Sequence, residues 1–386
     1  GVESVEEGGD VGVRGGSGGA GKGRVVLGGE MAELQELCLE RCPPELLSGL
    51  GEARKPRKVE LKKGKEVDDR VASILGSLPL LETLNLSGSH MNSGALAVLC
   101  NRAPKLRNLD IGYSSGMNGV ATGMTWEDVG LVAAFPGLVS LNLSGFNEFH
   151  DDDFAALLGQ LPELESLDMR WNSYLTDESA KSIGRAKKIQ HLEVSGWNGL
   201  TDTGVLHLCD LEKRLLTFKA SHCGQLTERA VRFISERCPN LEVFVMDHLP
   251  RDNDAAAESL SRLQMLTKVV ASSWTKLTDV GCEYISKLHR LKSLTLDGSI
   301  TTDGALKIAI GLENLEVIEI SFEKLEYGDP RATPEDLRFP HVLRKHMGFK
   351  LRGCECARHL RRFVETGVSP DVGRRPGSAT LDFYSV

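Results

Sequence analysis

The chain has 386 residues, of which 41% are hydrophobic and 26% charged, and its formal net charge is −8. That length and apolar content are enough to bury a large core. The acidic balance disfavours nucleic acid as the main partner. No run of apolar residues reaches the roughly 18 to 20 that a membrane-spanning helix needs, so we expect no membrane span.

The N-terminal residues and the cysteines indicate the compartment. Residues 1–30 are rich in glycine and lack the apolar core of a secretory signal. The nine cysteines are odd in number and do not form a disulfide framework, which suits a reducing environment. We therefore expect an intracellular protein, cytoplasmic or nuclear. Residues 16–23 approach a phosphate-binding loop, but Gly23 replaces the hydroxyl that would meet magnesium, so no cofactor is predicted.

A unit of about 25 residues recurs along most of the chain, which marks a repeat array. Each unit opens with a leucine-like residue and has further apolar residues at its fourth and sixth positions. The longer step after the fourth unit falls in a Gly-rich stretch, 112–128, which we expect to project as a loop. The units start at Leu34, Pro56, Leu81, Leu106, Leu138, Leu164, Ile189, Leu215, Leu241, Leu266, Leu291 and Leu315.

Residues 164–183 show the plan of one unit. The period of two in a strand turns Leu167 and Met169 inward and leaves the residues between them outward. Thr176 then stands where a hydroxyl satisfies the free amides at the start of a helix, and the helix dipole favours Asp177. Each unit is thus a strand followed by a helix, and successive strands stack side by side. The same corner is predicted at Thr201–Asp202, Thr227–Glu228, Thr278–Asp279 and Thr302–Asp303.

Residues 223–244, CGQLTERAVRFISERCPNLEVF, resemble the cysteine-containing leucine-rich repeats of F-box and leucine-rich-repeat proteins almost throughout. Cys223 stands at the strand exit, and Cys238 opens the unit junction. The resemblance covers roughly residues 34–325. It implies an α/β leucine-rich-repeat solenoid of about 12 repeats, curved, with a parallel concave sheet and convex helices.

Four strand exits depart from that family pattern. A small polar side chain is usual there, whereas this chain has Phe146, Asn172, Trp197 and Trp274. We expect the bulky residues to fill the core between the layers. The first 30 residues are too rich in glycine to pack as the helices that carry an F-box, so no F-box is predicted there.

The pattern divides the chain into four segments. Residues 1–30 are predicted to be a Gly-rich disordered tail, 31–326 the repeat domain, 327–363 a basic segment that caps the last repeat or docks elsewhere, and 364–386 a flexible tail. The basic segment holds several His and Cys residues, but its Cys-x-Cys spacing fits zinc poorly. The sequence HDDD at 150–153 suits a helix start better than a metal site. No metal is predicted.

No set of nucleophile, base and orienting acid recurs along the chain, so we do not expect an enzyme. The repeats indicate a protein–protein interaction module, and the family resemblance alone suggests substrate recognition on a ubiquitin-ligase scaffold. The alternative is a structural or assembly subunit of a larger complex. Outward strand positions are predicted to form one partner-binding patch on the concave face: Asn108, Asp110, Tyr113, Asp168, Arg170, Trp171, His191, Glu193, Lys219 and His222.

Overall fold

The computed structural model describes residues 11–12, 35–40, 55–62, 66–113, 125–146, 149–249, 253–322 and 350–352. The chain divides into two compact units, Gly1–Gly199 and Leu200–Val386, which are considered in turn. Most of the predicted Gly-rich tail and basic segment, the final tail and most of the 112–128 loop lie outside the described residues.

The first unit is built on a sheet of short strands, one from each repeat. The order in this sheet is β1-β2-β3-β5-β7-β8-β9-β10. Neighbours from β2 onward pair in parallel, β1 pairs antiparallel with β2, and β4 and β6 form a separate parallel pair. The strands are β1 Val11–Gly12, β2 Glu36–Glu40, β3 Lys58–Lys62, β4 Glu66–Val67, β5 Thr83–Asn85, β6 His90–Met91, β7 Asn108–Asp110, β8 Ser140–Asn142, β9 Ser166–Asp168 and β10 His191–Glu193.

Helices follow the strands of the first unit, as the sequence predicts. Three of them begin after a polar side chain that accepts a hydrogen bond from the helix's first free amides: Asp68, Asn92 and Thr176. Such caps satisfy donors that have no partner within the helix. The helices are α1 Asp69–Gly76, α2 Ser93–Arg102, α3 Trp126–Val129 with the 3-10 turn Gly130–Ala134, α4 Asp151–Gly159 and α5 Asp177–Gly184.

The second unit repeats the plan with a wholly parallel sheet in the order β11 to β16. Its strands are β11 Thr217–Lys219, β12 Val243–Val245, β13 Lys268–Ala271, β14 Ser293–Gly298, β15 Val317–Phe322 and β16 Lys350–Arg352. Its helices are α6 Asp202–Leu208 with the 3-10 turn Cys209–Arg214, α7 Glu228–Arg237, α8 Asn253–Leu260, α9 Asp279–Ile285 and α10 Thr302–Gly311. Strand β16 is the described part of the predicted basic segment.

The predicted threonine caps of the second unit are confirmed in three helices. The hydroxyls of Thr201, Thr227 and Thr278 accept from the amide two residues further on, at 3.1 to 3.2 Å. The fourth prediction is wrong by one residue, because Thr302 is already the first residue of α10. Thr301 precedes that helix, and this unit is one residue shorter than its neighbours.

The core lies between the sheet and the helices in each unit. Leu167 pairs with Leu141 on one side and Leu192 on the other, so the leucines of successive strands form a continuous inner layer. Leu167 is 2% exposed and Met169 is fully buried, whereas the outward neighbour Asp168 is half-buried. The inward and outward assignment made from the period of two is confirmed.

Bulky residues at the strand exits fill the core and also satisfy the backbone. Trp197 is fully buried, and its indole Nε1 donates to the Met169 carbonyl of the preceding repeat at 2.7 Å. The Asn172 amide Nδ2 donates to the Leu143 carbonyl, again one repeat earlier, at 2.9 Å. Trp274 makes the indole bond in the second unit. A tryptophan can replace the small polar residue because both present an N–H donor to the same carbonyl.

A carboxylate at the start of a helix joins one repeat to the next. Asp151 accepts from the Thr176 amide at 3.0 Å and its hydroxyl at 2.7 Å, and from the Ser179 amide at 3.2 Å and its hydroxyl at 2.5 Å. We call this contact the Asp–Thr clasp. Equivalent clasps in the second unit link Asp202 to Thr227, Asp254 to Thr278 and Asp279 to Thr301.

Candidate functional site

In the first unit, one residue in the left-handed backbone conformation follows each of the strands β5, β7, β8, β9 and β10. Three of these residues are Gly88, Gly145 and Gly196, but the other two are Tyr113 at φ 57° and Trp171 at φ 59°. Backbone bonds to the next repeat fix the turn: the Tyr113 amide donates to the Ser144 carbonyl at 2.7 Å and the Trp171 amide to the Ser195 carbonyl at 2.8 Å. A residue with a Cβ in this conformation costs on the order of 1 kcal/mol that glycine avoids.

The residues before these aromatics also depart from the plain repeat. Residues 85–88 and 142–145 both read Asn-Leu-Ser-Gly, whereas 110–113 read Asp-Ile-Gly-Tyr and 168–171 read Asp-Met-Arg-Trp. Both departures place a carboxylate and an aromatic ring at the same two positions. We call the resulting surface the acidic–aromatic patch, formed by Asp110, Tyr113, Asp168, Arg170, Trp171 and Glu193.

The carboxylates of the patch have a structural task that an amide performs equally well. Asp110 Oδ1 accepts from the amide two residues on at 3.0 Å, and Asp168 Oδ1 does so at 3.1 Å. Asn85 and Asn142 make the same bond, each at 2.9 Å. Side chains of this kind stabilise a turn whether or not they are charged. The negative charge is therefore additional to what the fold requires.

Arg170 is held in a two-point ion pair. Its Nε lies 3.0 Å from each oxygen of Asp168, and its Nη2 lies 2.7 Å from Oδ2. The hydrogen bonds to Asp168 raise the pKa of the Arg170 guanidinium, and Glu193 and Tyr113 add to the effect. Paired geometry of this type fixes the side chain in the plane of its partner.

The ionised form of Asp110 is disfavoured. Burial raises its pKa and the nearby Asp168 charge raises it further, whereas hydrogen bonds from the Gly112 amide and the Asn142 side chain and the charge of Arg170 lower it. Burial also raises the pKa of the Tyr113 hydroxyl. Three carboxylates and one guanidinium leave the patch with a formal charge of −2.

The two left-handed aromatic rings rest on glycines of the following repeat. A Cβ at Gly145 would lie 2.6 Å from Tyr113 Cδ1, and one at Gly196 would lie 2.5 Å from Trp171 Cε3. Both distances are too short for a real contact, so the glycines are needed for the rings to lie there. Trp171 remains 44% exposed.

A shallow depression of about 290 Å³ lies beside the patch. Outward residues of β3 to β9 line it, among them Asn108, Asp110, Ser166 and Asp168. Asn108 also donates to the Thr83 hydroxyl on the neighbouring strand at 2.9 Å. Its lining combines these polar side chains with Leu84, Leu109 and Leu141.

The predicted site residues are partly brought together. Eight of the ten belong to the first unit and lie on or just after β7, β9 and β10, where Glu193 pairs in register with Asp168 and the exposed His191 with Ser166. Lys219 and His222 belong to the second unit. There Lys219 ends β11, and the His222 ring lies 4.6 Å from the ring of His248.

Sequence reasoning did not select Tyr174, which is 60% exposed and lies three residues after Trp171. Its ring centroid is 5.8 Å from that of His150. Tyr174 falls in the polar turn between strand and helix, so the outward periodicity of the strand gives no signal for it. An aromatic residue in a turn of otherwise small and polar residues is the signal that was available.

The described part of the chain contains no group of three or more His, Cys, Asp or Glu side chains arranged to hold a metal ion. Within the same ranges, each helix is too short or too polar to cross a bilayer. The predicted His and Cys residues of 327–363 lie outside the described residues.

Comparisons with known proteins agree with this architecture. Residues 160–184 match the family model described as Leucine Rich repeat. A chain from the crystal structure of the yeast Rad7 and Elc1 complex is 17% identical, with 82% of this chain and 85% of that chain covered and a TM-score of 0.53. An internalin (inlF) from Listeria monocytogenes is 13% identical, with 78% and 88% covered and a TM-score of 0.44.

The repeated strand, turn and helix, the buried leucine layer and the matched repeat together define the class. This chain has an α/β leucine-rich-repeat solenoid fold, and residues 160–184 match the leucine-rich-repeat model.

Proposed function

We propose that this protein is a non-enzymatic interaction module that binds a protein partner through the acidic–aromatic patch. The observation that carries the proposal is the pair of aromatic side chains, Tyr113 and Trp171, at two left-handed strand exits of the first unit, beside the ion pair of Asp168 and Arg170. His222, His248 and Ser273 adopt the same conformation in the second unit, so it is the aromatic rings, and not the conformation, that distinguish the patch. Tyrosine, tryptophan and arginine are also the residues that most often supply binding energy at protein interfaces.

Two narrower roles follow from different observations. The resemblance of residues 223–244 to F-box and leucine-rich-repeat proteins supports substrate recognition within a ubiquitin-ligase complex. The alternative is an assembly subunit, and a chain of similar fold occurs in the yeast complex of Rad7 with Elc1. In the first role the partner at the patch exchanges, and in the second it is a permanent neighbour.

The test replaces the patch with residues that the neighbouring repeats already use. The variant Asp168→Asn, Arg170→Ser, Trp171→Gly copies the Asn-x-Ser-Gly exit of residues 142–145, so the turn amide keeps its acceptor and the left-handed position gains a glycine. A control variant, Asp152→Asn with Arg185→Ser, makes the same charge changes at exposed positions on helix α4 and at the end of α5.

Partners captured by the wild-type chain are identified by mass spectrometry and measured again as purified proteins. We expect the patch variant to lose at least one partner while its thermal unfolding and that of the control stay near wild type. Ubiquitin-ligase subunits that remain bound to the patch variant would favour substrate recognition. A partner present in constant stoichiometry would favour the assembly role. Unchanged affinity of every purified partner for the patch variant would refute the proposal.

A further inference from the structure

We infer that the partner presents a basic segment, whose Lys or Arg side chains contact the Trp171 ring and the carboxylates of Asp110 and Glu193. This inference rests on the proposed function and names the chemistry that the acidic–aromatic patch accepts. It starts from the charges of the outward face of the first unit.

Six strands of the large sheet, β3, β5, β7, β8, β9 and β10, have an outward-facing residue at their second outward position. Four of these residues are acids, two are amides and none is a base. These residues are Glu60, Asn85, Asp110, Asn142, Asp168 and Glu193. Two of the acids have a base close by. Lys58 lies 2.9 Å from Glu60, and Arg170 forms the two-point pair with Asp168. Arg170 also acts electrostatically on Asp110 and Glu193, so one guanidinium is shared among three carboxylates and the patch keeps a net negative charge.

Asp110 is stabilised in its ionised form by an incoming cation. Its side chain is partly buried beside the Asp168 charge, and the surroundings disfavour its ionised form. A cation placed against it replaces part of the lost hydration and offsets the repulsion. An acidic partner would instead add repulsion, and an apolar partner would bury the carboxylate without compensation.

Aromatic rings next to the carboxylates select the same chemistry. Trp171 lies against Gly196 and keeps 44% of its surface exposed. The face of an indole ring is the strongest cation–π acceptor among protein side chains, and arginine uses it most often. A carboxylate and an exposed indole on adjacent repeats therefore offer a charge contact and a stacking contact to one basic chain.

The test uses fluorescein-labelled peptides of about eight residues in which glycine alternates with arginine, lysine or glutamate. Binding to the full-length protein is followed by fluorescence anisotropy at low ionic strength. We expect the arginine peptide to bind more tightly than the lysine peptide and the glutamate peptide not to bind. Raising the ionic strength to about 0.3 M should weaken binding, because exposed charges are screened within a few ångströms.

Three variants locate the contact. Asp110→Asn keeps the turn acceptor and removes the charge, and we expect it to weaken the arginine peptide about threefold to fivefold, the range of an exposed ion pair. Trp171→Gly should weaken it by a similar factor through loss of the cation–π contact. Asp152→Asn removes one charge from helix α4 and should have no effect.

Each outcome separates the inference from the proposed function. If the arginine peptide binds no better than the glutamate peptide, or if Asp152→Asn weakens it as much as Asp110→Asn, the inference is overturned. Purified partners that still depend on the patch would then leave the proposed function standing. A peptide of residues 341–363, with seven Lys and Arg, serves as competitor. If this peptide binds the patch far more tightly than the arginine peptide does, the assignment to a partner protein is overturned. The result would then point to the chain's own segment as the ligand of the patch.

Discussion

Replacing Asp151 by alanine tests whether the Asp–Thr clasp stabilises neighbouring repeats. Asp151 accepts two hydrogen bonds from Thr176 and two from Ser179. Thr176 is exposed, so water can replace its two bonds, but Ser179 is fully buried. Each buried polar group left without a partner costs about 1 to 3 kcal/mol. We therefore expect Asp151→Ala to lower the free energy of unfolding of the first unit by about 2 to 4 kcal/mol.

The matched control is Asp152→Ala. Asp152 is the exposed residue next to Asp151 in the first turn of α4, so both substitutions remove the same favourable interaction with the helix dipole, about 0.5 kcal/mol. Urea denaturation followed by circular dichroism gives the two free energies. Equal destabilisation by the two substitutions would refute the reasoning, because the clasp would then contribute nothing beyond the dipole.

Three further predictions concern the same unit. Burial raises the pKa of Asp151, but the hydrogen bonds from Ser179 and Thr176 outweigh burial and lower the pKa. The contribution of the clasp to the free energy of unfolding should therefore be complete above about pH 4 and be lost on further acidification. Acid titrations of wild type and Asp151→Ala should converge at low pH. Trp197→Phe removes the indole bond to the Met169 carbonyl, which keeps the Asn172 amide as a donor. The free energy of unfolding should fall by about 0.5 to 1.5 kcal/mol in denaturant titrations, and an unchanged midpoint would contradict that role. Gly196→Ala should destabilise the first unit by at least about 1 kcal/mol, because residue 196 has a φ of +80° and the new Cβ would clash with the Trp171 ring. The control Gly159→Ala should not destabilise it, because a Cβ there meets no atom within 4 Å. Equal melting temperatures of the two variants would contradict this account.

The repeat architecture was predictable because it depends on local periodicity. The fourth and sixth positions of each unit alternate with outward residues, and burial of Leu167 and Met169 follows directly. Threonine caps were predictable for the same reason, since a cap acts on amides only two residues away. The cap at Thr302 was placed one residue late because the unit is shortened before its helix.

The contacts between repeats were not predictable in the same way. The pattern assigned the Asp of each Thr-Asp pair to the dipole of its own helix, whereas the structure shows such carboxylates bonded to the next repeat, about 25 residues away. The indole donors of Trp197 and Trp274 likewise reach a carbonyl of the preceding repeat. Such bonds depend on the stacking distance between strands, which no single repeat encodes.

The acidic–aromatic patch was predicted in part. Periodicity places Asp110, Asp168 and Glu193 outward, but it does not show that these side chains also support turns. It also does not show that Trp171 adopts a backbone conformation suited to glycine. When the strand exits of the first unit are aligned, glycine alternates with an aromatic residue at the left-handed position. Once the turn conformation is known, this alternation shows that Tyr113 and Trp171 stand where glycine is preferred.

The Asp–Thr clasp joins several pairs of neighbouring repeats. In each clasp, a threonine of one repeat donates hydrogen bonds to an aspartate of the preceding repeat. Some repeats supply both partners: Thr278 donates to Asp254 of the repeat before, and Asp279 accepts from Thr301 of the repeat after. Loss or duplication of one whole period would therefore rejoin matching partners, whereas loss of half a period would leave a carboxylate facing the wrong backbone. Arrays of this kind can change length during evolution while every internal junction stays intact.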